Sequence, residues 1–139
     1  MRESCEIWNL LHDGGLESLK RDGTDLHMVV EISYLTELLL PGSQQLLLIL
    51  HDCAVFEYTG WETETPTAEL SRIQGLGLDI LGTDSETLPA KVWTSEGTLL
   101  VDFTSFSLRL ANGVPCSMEE LRQAAKSYWD EFSSRTRQP

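Results

Sequence analysis

The most regular feature of the chain is an alternation of apolar and polar residues between positions 26 and 33. Side chains on a strand point alternately to its two faces, so this period of two predicts a half-buried β-strand. A shorter strand is predicted over 15–19, and the turn at Asp22-Gly23 would join the two strands into a hairpin. The apolar set of the longer strand is Leu26, Met28, Val30 and Ile32.

The next apolar segments differ in how clearly they predict a structure. Residues 34–40 have a spacing that suits one or two helical turns, although a continued strand also fits, and Pro41-Gly42 ends either one. Residues 45–51 are apolar almost throughout and predict a buried strand. A further strand is predicted over 55–58, after a bend at Asp52-Cys53.

Three alternating segments in the second half of the chain predict consecutive strands over 90–94, 99–103 and 106–110, in other words a meander. The dipeptide Asn112-Gly113, which is favoured in hairpin turns, follows the third strand. Before them, Thr65 as N-cap and Pro66 at the first helical position predict a short helix over 66–73. Residues 78–81 then suit a strand.

The C-terminal segment has the clearest helical pattern. Ser117 and Glu120 form a capping box, in which each side chain satisfies a backbone N–H group of the first turn. Downstream, apolar residues recur with helical spacing and predict one continuous stripe packed against the core. The stripe consists of Leu121, Ala124, Ala125, Tyr128, Trp129 and Phe132.

Together these elements predict an α+β fold that is mostly antiparallel β-sheet. We expect about seven or eight strands arranged as a sandwich or half-barrel, with the C-terminal amphipathic helix packed on one sheet face. A chain of 139 residues fits a single domain over 1–139, with flexible ends at 1–6 and 133–139. Among the other aromatics, Trp8 and Trp93 occupy positions that suit a core.

Charge is the one unusual property of the composition, with a formal net charge of −12. Residues 1–70 carry 3 basic and 13 acidic side chains, so most of the excess lies in that half. Nucleic acid and anionic membranes are unfavourable partners for such a surface, because both are bound through Lys and Arg. We therefore expect no nucleic acid and no membrane as partner. The acidity is either a solvated surface or a surface that suits a basic protein partner.

The cysteines and the N-terminus indicate a cytoplasmic protein. Cys5, Cys53 and Cys116 are odd in number and widely spaced, which predicts free, buried thiols rather than disulfides or a zinc site. The first residues are polar and partly acidic, unlike a signal peptide. No apolar run approaches the roughly 20 residues that cross a bilayer.

Sequence motifs for catalysis are missing, so the sequence favours a non-catalytic protein without a cofactor. The two His-Asp dipeptides, His12-Asp13 and His51-Asp52, could converge on a metal, but adjacent residues on a strand point to opposite faces, so we expect none. Each aspartate would instead mark a local bend. A pairing of His51 with Cys53 as nucleophile fails because no third, orienting group can be named.

One aromatic residue stands apart from the predicted core. Trp61 lies in an acid-rich linker, and an aromatic side chain surrounded by charge is typical of a recognition site. The alternative is that Trp61 folds back over the sheet edge. The candidate partner-binding residues are Glu57, Tyr58, Trp61, Glu62 and Glu64.

A set of scattered positions resembles small bacterial immunity proteins of polymorphic toxin systems and related uncharacterised proteins. The positions are Trp8, His12-Asp13, the apolar run that ends in His51-Asp52-Cys53, Phe56, Tyr58, and the closing segment from Gly97 to Phe103. The resemblance implies a protein-binding inhibitor without catalytic residues, and an acidic face would suit inhibition of a cationic toxin. The alternative is a small-molecule-binding or enzymatic domain with a pocket in the sheet mouth, lined by Trp93, Phe103 or Met28.

Overall fold

The computed structural model describes residues 3–62 and 65–136. These residues form an α+β fold with nine strands in two antiparallel sheets, neither of which closes into a barrel. The elements in chain order are α1 (Glu3–Leu10), β1 (Gly15–Asp22), β2 (Asp25–Glu31), α2 (Ser33–Leu39), β3 (Gln45–His51), β4 (Val55–Gly60), α3 (Leu70–Gln74), β5 (Ile80–Thr83), β6 (Ala90–Thr94), β7 (Gly97–Asp102), β8 (Ser105–Leu110), β9 (Pro115–Cys116) and α4 (Met118–Thr136).

The fold class predicted from the sequence is confirmed. The ninth strand is the two-residue β9, which pairs with β8 after the turn at Asn112-Gly113. The first sheet has the strand order β1-β2-β3-β8-β9, and the second has the order β4-β7-β6-β5. The chain thus enters the second sheet after β3 and returns to the first after β7.

The predicted meander of three consecutive strands is wrong, because the chain returns to the first sheet after β7. β6 and β7 pair as expected, but β8 pairs with β3, with Leu48 opposite Leu108, instead of continuing beside β7. The three strands have the same local pattern that a meander would have. Pairing between segments so far apart in sequence leaves no local signal, so the pattern alone cannot assign the partner.

Both sheets bury one face in a shared hydrophobic core. The predicted buried face of β2 is confirmed, because Leu26, Met28 and Val30 are fully buried. The sheets meet where the start of β1 bonds to the segment just before β5: Gly15 bridges to Asp79, and the backbone N–H of Leu16 donates to the carbonyl of Leu78 at 2.8 Å. One face of each sheet therefore remains available to solvent.

α4 begins with the capping box that the sequence predicts. The backbone N–H of Glu120 donates to Ser117 Oγ at 3.1 Å, and the N–H of Ser117 donates to Glu120 Oε1 at 3.2 Å. The helix contacts α1 and α2, and Arg122 donates to Glu6 at 2.7 Å and to Glu3 at 3.1 Å. α1 and α4 are therefore joined by ion pairs as well as by packing.

The predicted apolar stripe of α4 is buried only in its first half. Leu121, Ala124 and Ala125 are buried, but Trp129 is 41% exposed and Phe132 is 48% exposed. The core positions predicted for these two aromatics are wrong, because the second half of α4 leaves their side of the helix open to solvent. Their rings contact Tyr128 and each other, and the ring of Trp129 also contacts Tyr34 of α2, with centroids 6.2 Å apart.

The predicted start of the short helix over 66–73 is corrected. The short helix starts at Leu70 rather than at Pro66, because Thr67 is paired with Tyr58. The N–H of Thr67 donates to the carbonyl of Tyr58 at 2.9 Å, and the N–H of Tyr58 donates to the carbonyl of Thr67 at 2.8 Å. Those bonds keep the preceding segment extended. No helix within the described ranges is long and apolar enough to cross a membrane.

Candidate functional site

Trp61 follows directly after β4 and is the most exposed large apolar side chain among the described residues, at 57%. Its ring stacks on Trp93 of β6, with centroids 5.9 Å apart and planes at 25°. The ammonium of Lys91 lies 5.2 Å from the Trp93 ring centroid, within cation–π range. Trp61 is therefore held in place on one side and open to solvent on the other.

A groove of about 640 Å³ lies on one side of Trp61. Tyr58 and Leu76 contribute its other large apolar surfaces, and Leu76 is exposed. Its charged residues are Glu62, Glu96 and Arg72, so acids outnumber bases in the lining. An apolar surface bordered by charge is the usual composition of a protein recognition site.

The solvent-facing side of the second sheet continues this surface. Glu57 of β4, Leu100 of β7 and Lys91 of β6 lie side by side in register across three strands. Leu100 and Leu81 are both exposed, and Leu81 lines a second groove with Trp61 and Trp93. We call this area the Trp61 surface; it consists of Glu57, Trp61, Glu62, Arg72, Leu76, Leu81, Lys91, Trp93, Glu96 and Leu100.

Four of the five predicted partner-binding residues fall within the described ranges, and they differ in how far they are exposed. Trp61 and Glu62 are exposed, and Glu57 is half-buried on the solvent-facing side of the sheet. Tyr58 is only 8% exposed, so it forms the floor of the groove rather than a projecting contact. Burial, together with the negative charge of Glu96, raises the pKa of Tyr58. Glu64 lies outside the described residues.

The two His-Asp dipeptides are local bends. Asp13 and Asp52 have φ angles of 69° and 49°, in the left-handed region that aspartate tolerates better than most residues. The two histidines contact different parts of the fold. His12 Nδ1 lies 2.7 Å from the carbonyl oxygen of Leu81, whereas His51 contacts residues of the first sheet. The described residues contain no group of three or more His, Cys, Asp or Glu side chains arranged to hold a metal ion.

A second polar cluster, which sequence reasoning missed, lies on the solvent-facing side of the first sheet. Asp25 Oδ2 is 3.2 Å from His51 Nδ1, and His51 Nε2 is 2.6 Å from Ser107 Oγ. The three residues come from β2, β3 and β8, which are adjacent strands. We call this cluster the Ser107–His51–Asp25 network.

The carboxylate of Asp25 determines which ring nitrogen of His51 donates in this network. Asp25 also accepts the backbone N–H of Asp52 at 3.0 Å, and this bond, followed by the contact with His51, lowers the pKa of the Asp25 carboxyl. An ionised carboxylate only accepts hydrogen bonds, so His51 Nδ1 carries a proton and donates it. With the imidazole neutral, Nε2 is then an acceptor for the Ser107 hydroxyl.

The three thiols are buried, as the sequence predicts. Burial raises the pKa of Cys5, Cys53 and Cys116, which keeps each thiol protonated and a weak nucleophile at neutral pH. The Sγ of Cys53 lies 3.5 Å from the carbonyl oxygen of Val55, and neither ring nitrogen of His51 is directed at it.

The alternative function requires a pocket in the sheet mouth lined by Met28, Phe103 or Trp93, but these three residues do not line one cavity. Met28 is fully buried and Phe103 is 4% exposed, both within the core, whereas Trp93 lies on the opposite, solvent-facing side of its sheet.

Comparisons of the chain with protein-family models, with curated proteins and with solved structures find no match.

Proposed function

We propose that this protein is a binding domain that uses the Trp61 surface to hold a basic protein. In its sharpest form the proposal is an immunity-type inhibitor of a cationic toxin. The observation that carries it is the exposed, pre-positioned ring of Trp61. Tryptophan is among the residues that contribute most to binding free energy at protein interfaces.

The stacking of Trp61 on Trp93 supports a binding role because it lowers the cost of association. A side chain that is already held loses little rotamer freedom when a partner covers it. The backbone contributes as well, since the N–H of Trp61 donates to the carbonyl of Glu96 at 3.1 Å. The surface therefore offers a fixed aromatic ring between two grooves.

Charge supports a basic partner. The Trp61 surface contains three acidic residues, Glu57, Glu62 and Glu96, and two basic ones, Arg72 and Lys91. The whole chain has a formal net charge of −12. Such a field accelerates encounter with a cationic protein and disfavours anionic ones. The same reasoning predicts a marked dependence of binding on salt.

Affinity capture from native lysate, at about 50 mM and then about 300 mM salt, tests this proposal. We expect a basic protein, a toxin such as a nuclease in the sharpest form, to be retained at low salt and largely released at high salt. A double variant, Glu57→Lys with Glu62→Lys, should lose it at both concentrations. The matched control, Glu86→Lys with Asp130→Lys, changes net charge equally but elsewhere, and should retain it. Equal retention by both double variants would remove the Trp61 surface from the proposal.

A further inference from the structure

The Ser107–His51–Asp25 network has the connectivity of a catalytic triad. A carboxylate contacts one ring nitrogen of a histidine, and the other ring nitrogen contacts a serine hydroxyl at 2.6 Å. This is the arrangement in which histidine acts as general base and serine as nucleophile. The same constellation recurs on unrelated folds, so it is recognised by geometry rather than by sequence position.

The strands fix this geometry. Asp25 and His51 lie opposite each other at the ends of β2 and β3, continuing the register of Leu26 opposite Leu50. Ser107 lies diagonally across on β8, where its partner in register is Ile49. Groups mounted on neighbouring strands are held more precisely than groups on loops. The bond from the Asp52 N–H further orients the Asp25 carboxylate.

The network is accessible from solvent. The side chains of His51 and Asp25 are 34% and 33% exposed, and Ser107 is half-buried. Ser107 also lines a groove of about 360 Å³ together with Phe106, Leu108 and Met118. Glu3, Ser4 and Ser117 also line it, so the groove has both polar and apolar walls.

The edge of β8 beside this groove is only partly covered. β9 pairs with Leu108 and Arg109, and no other strand among the described residues pairs on that side. Backbone N–H groups left at such an edge are available to an oxyanion, which is how many acyl-transfer sites stabilise their tetrahedral intermediates.

We propose that Ser107, His51 and Asp25 form a hydrolytic site for small carboxylic esters with an apolar acyl group. Phe106 and Met118 of the groove lining can contact a short apolar acyl chain. An ester also places less demand on leaving-group protonation than an amide. The proposal is independent of the Trp61 surface, which lies on the other sheet, so either can fail without the other.

The reaction balances with water as the only co-substrate. Ser107 Oγ bonds to the ester carbonyl carbon while its proton moves to His51 Nε2. The bond to the alcohol oxygen then breaks, and the departing alcohol takes that proton. A water molecule attacks the acyl-serine, again through His51 Nε2, which releases the acid and returns the proton to Ser107. Asp25 is a positioning residue in this scheme, since it holds the tautomer and orientation of the imidazole.

Hydrolysis of 4-nitrophenyl butyrate by the full chain tests the proposal. We expect Ser107→Ala and His51→Gln to lower kcat/KM by about 100-fold or more, the usual contribution of a general base or its nucleophile. Asp25→Asn should lower kcat and leave KM unchanged, which a merely structural role would not do. Ser18→Ala, a half-buried serine of β1 in the same sheet, is the matched control and should retain full activity.

A fluorophosphonate probe provides a second measurement that does not depend on turnover. Attack by Ser107 Oγ forms an O–P bond, breaks the P–F bond and releases fluoride, so intact mass should show one adduct that maps to Ser107. Thermal melting of each variant separates loss of the site from loss of the fold. Equal hydrolysis by the native chain and Ser107→Ala, or a native chain that takes no adduct at Ser107, would overturn the proposal.

Discussion

Replacement of Gly97 by alanine is expected to lower the free energy of unfolding by about 3 kcal/mol. Gly97 opens β7 opposite Gly60 of β4. A Cβ atom at position 97 would lie 2.2 Å from the carbonyl oxygen of Thr59 and 2.7 Å from the Cα of Gly60. Both contacts are with backbone, so relief requires β4 and β7 to move apart.

Urea denaturation measures this effect, with a lower midpoint and an unchanged slope as the expected result. Gly75→Ala makes the same chemical change where the nearest atom is 3.4 Å away and φ is −65°. We expect that variant to stay within about 0.5 kcal/mol of the native chain or to be slightly more stable. If Gly97→Ala denatures at the native midpoint, then β4 and β7 do not approach each other at Gly60 and Gly97.

Replacement of Trp8 by alanine is expected to cost about 3–5 kcal/mol, the range for removal of a buried aromatic side chain. Trp8 is fully buried on α1, and its ring lies edge-on to Phe103 with centroids 6.4 Å apart. Its indole N–H donates to the carbonyl of Ser4 at 3.1 Å, so the polar group is satisfied inside the core. The loss is a large fraction of the 5–15 kcal/mol that stabilises a typical domain.

The same denaturation experiment checks this prediction, and near-UV circular dichroism reports the loss of fixed aromatic packing. Trp129→Ala is the matched control, because Trp129 is 41% exposed and its removal should cost about 1 kcal/mol or less. Similar urea midpoints for Trp8→Ala and Trp129→Ala would mean that the ring of Trp8 is not buried in the core.

Local pattern was sufficient to predict most strands and the start of α4. β3 has the predicted bounds, and the capping box of Ser117 and Glu120 forms as expected, because both signals depend on neighbours in sequence. α1 gave no comparable signal: it is short, and its segment begins with polar residues. Its stability comes from burial of Trp8 and Ile7 in a core that the rest of the chain supplies.

The sequence predicts one candidate site and not the other, because sequence signals come from residues that are close together in the chain. Trp61 was identified because its acidic neighbours are adjacent in the chain. His51 was also noticed, but with Asp52 beside it, whereas its carboxylate partner is Asp25 on the neighbouring strand. Ser107 could be added only once β8 was known to pair with β3. Alternation of polar residues along β2 and β8 was the available signal, and it does not specify which strands are adjacent.

Affinity of the captured basic protein for Trp61→Ala, compared with Trp129→Ala, tests the proposed binding role most directly. Both variants remove an exposed tryptophan, but only Trp61 belongs to the Trp61 surface. We expect Trp61→Ala to weaken binding by about 30-fold or more, as removal of a central interface residue does. Trp129→Ala should leave the affinity unchanged. Equal affinity of the native chain and Trp61→Ala would contradict a binding role for this surface.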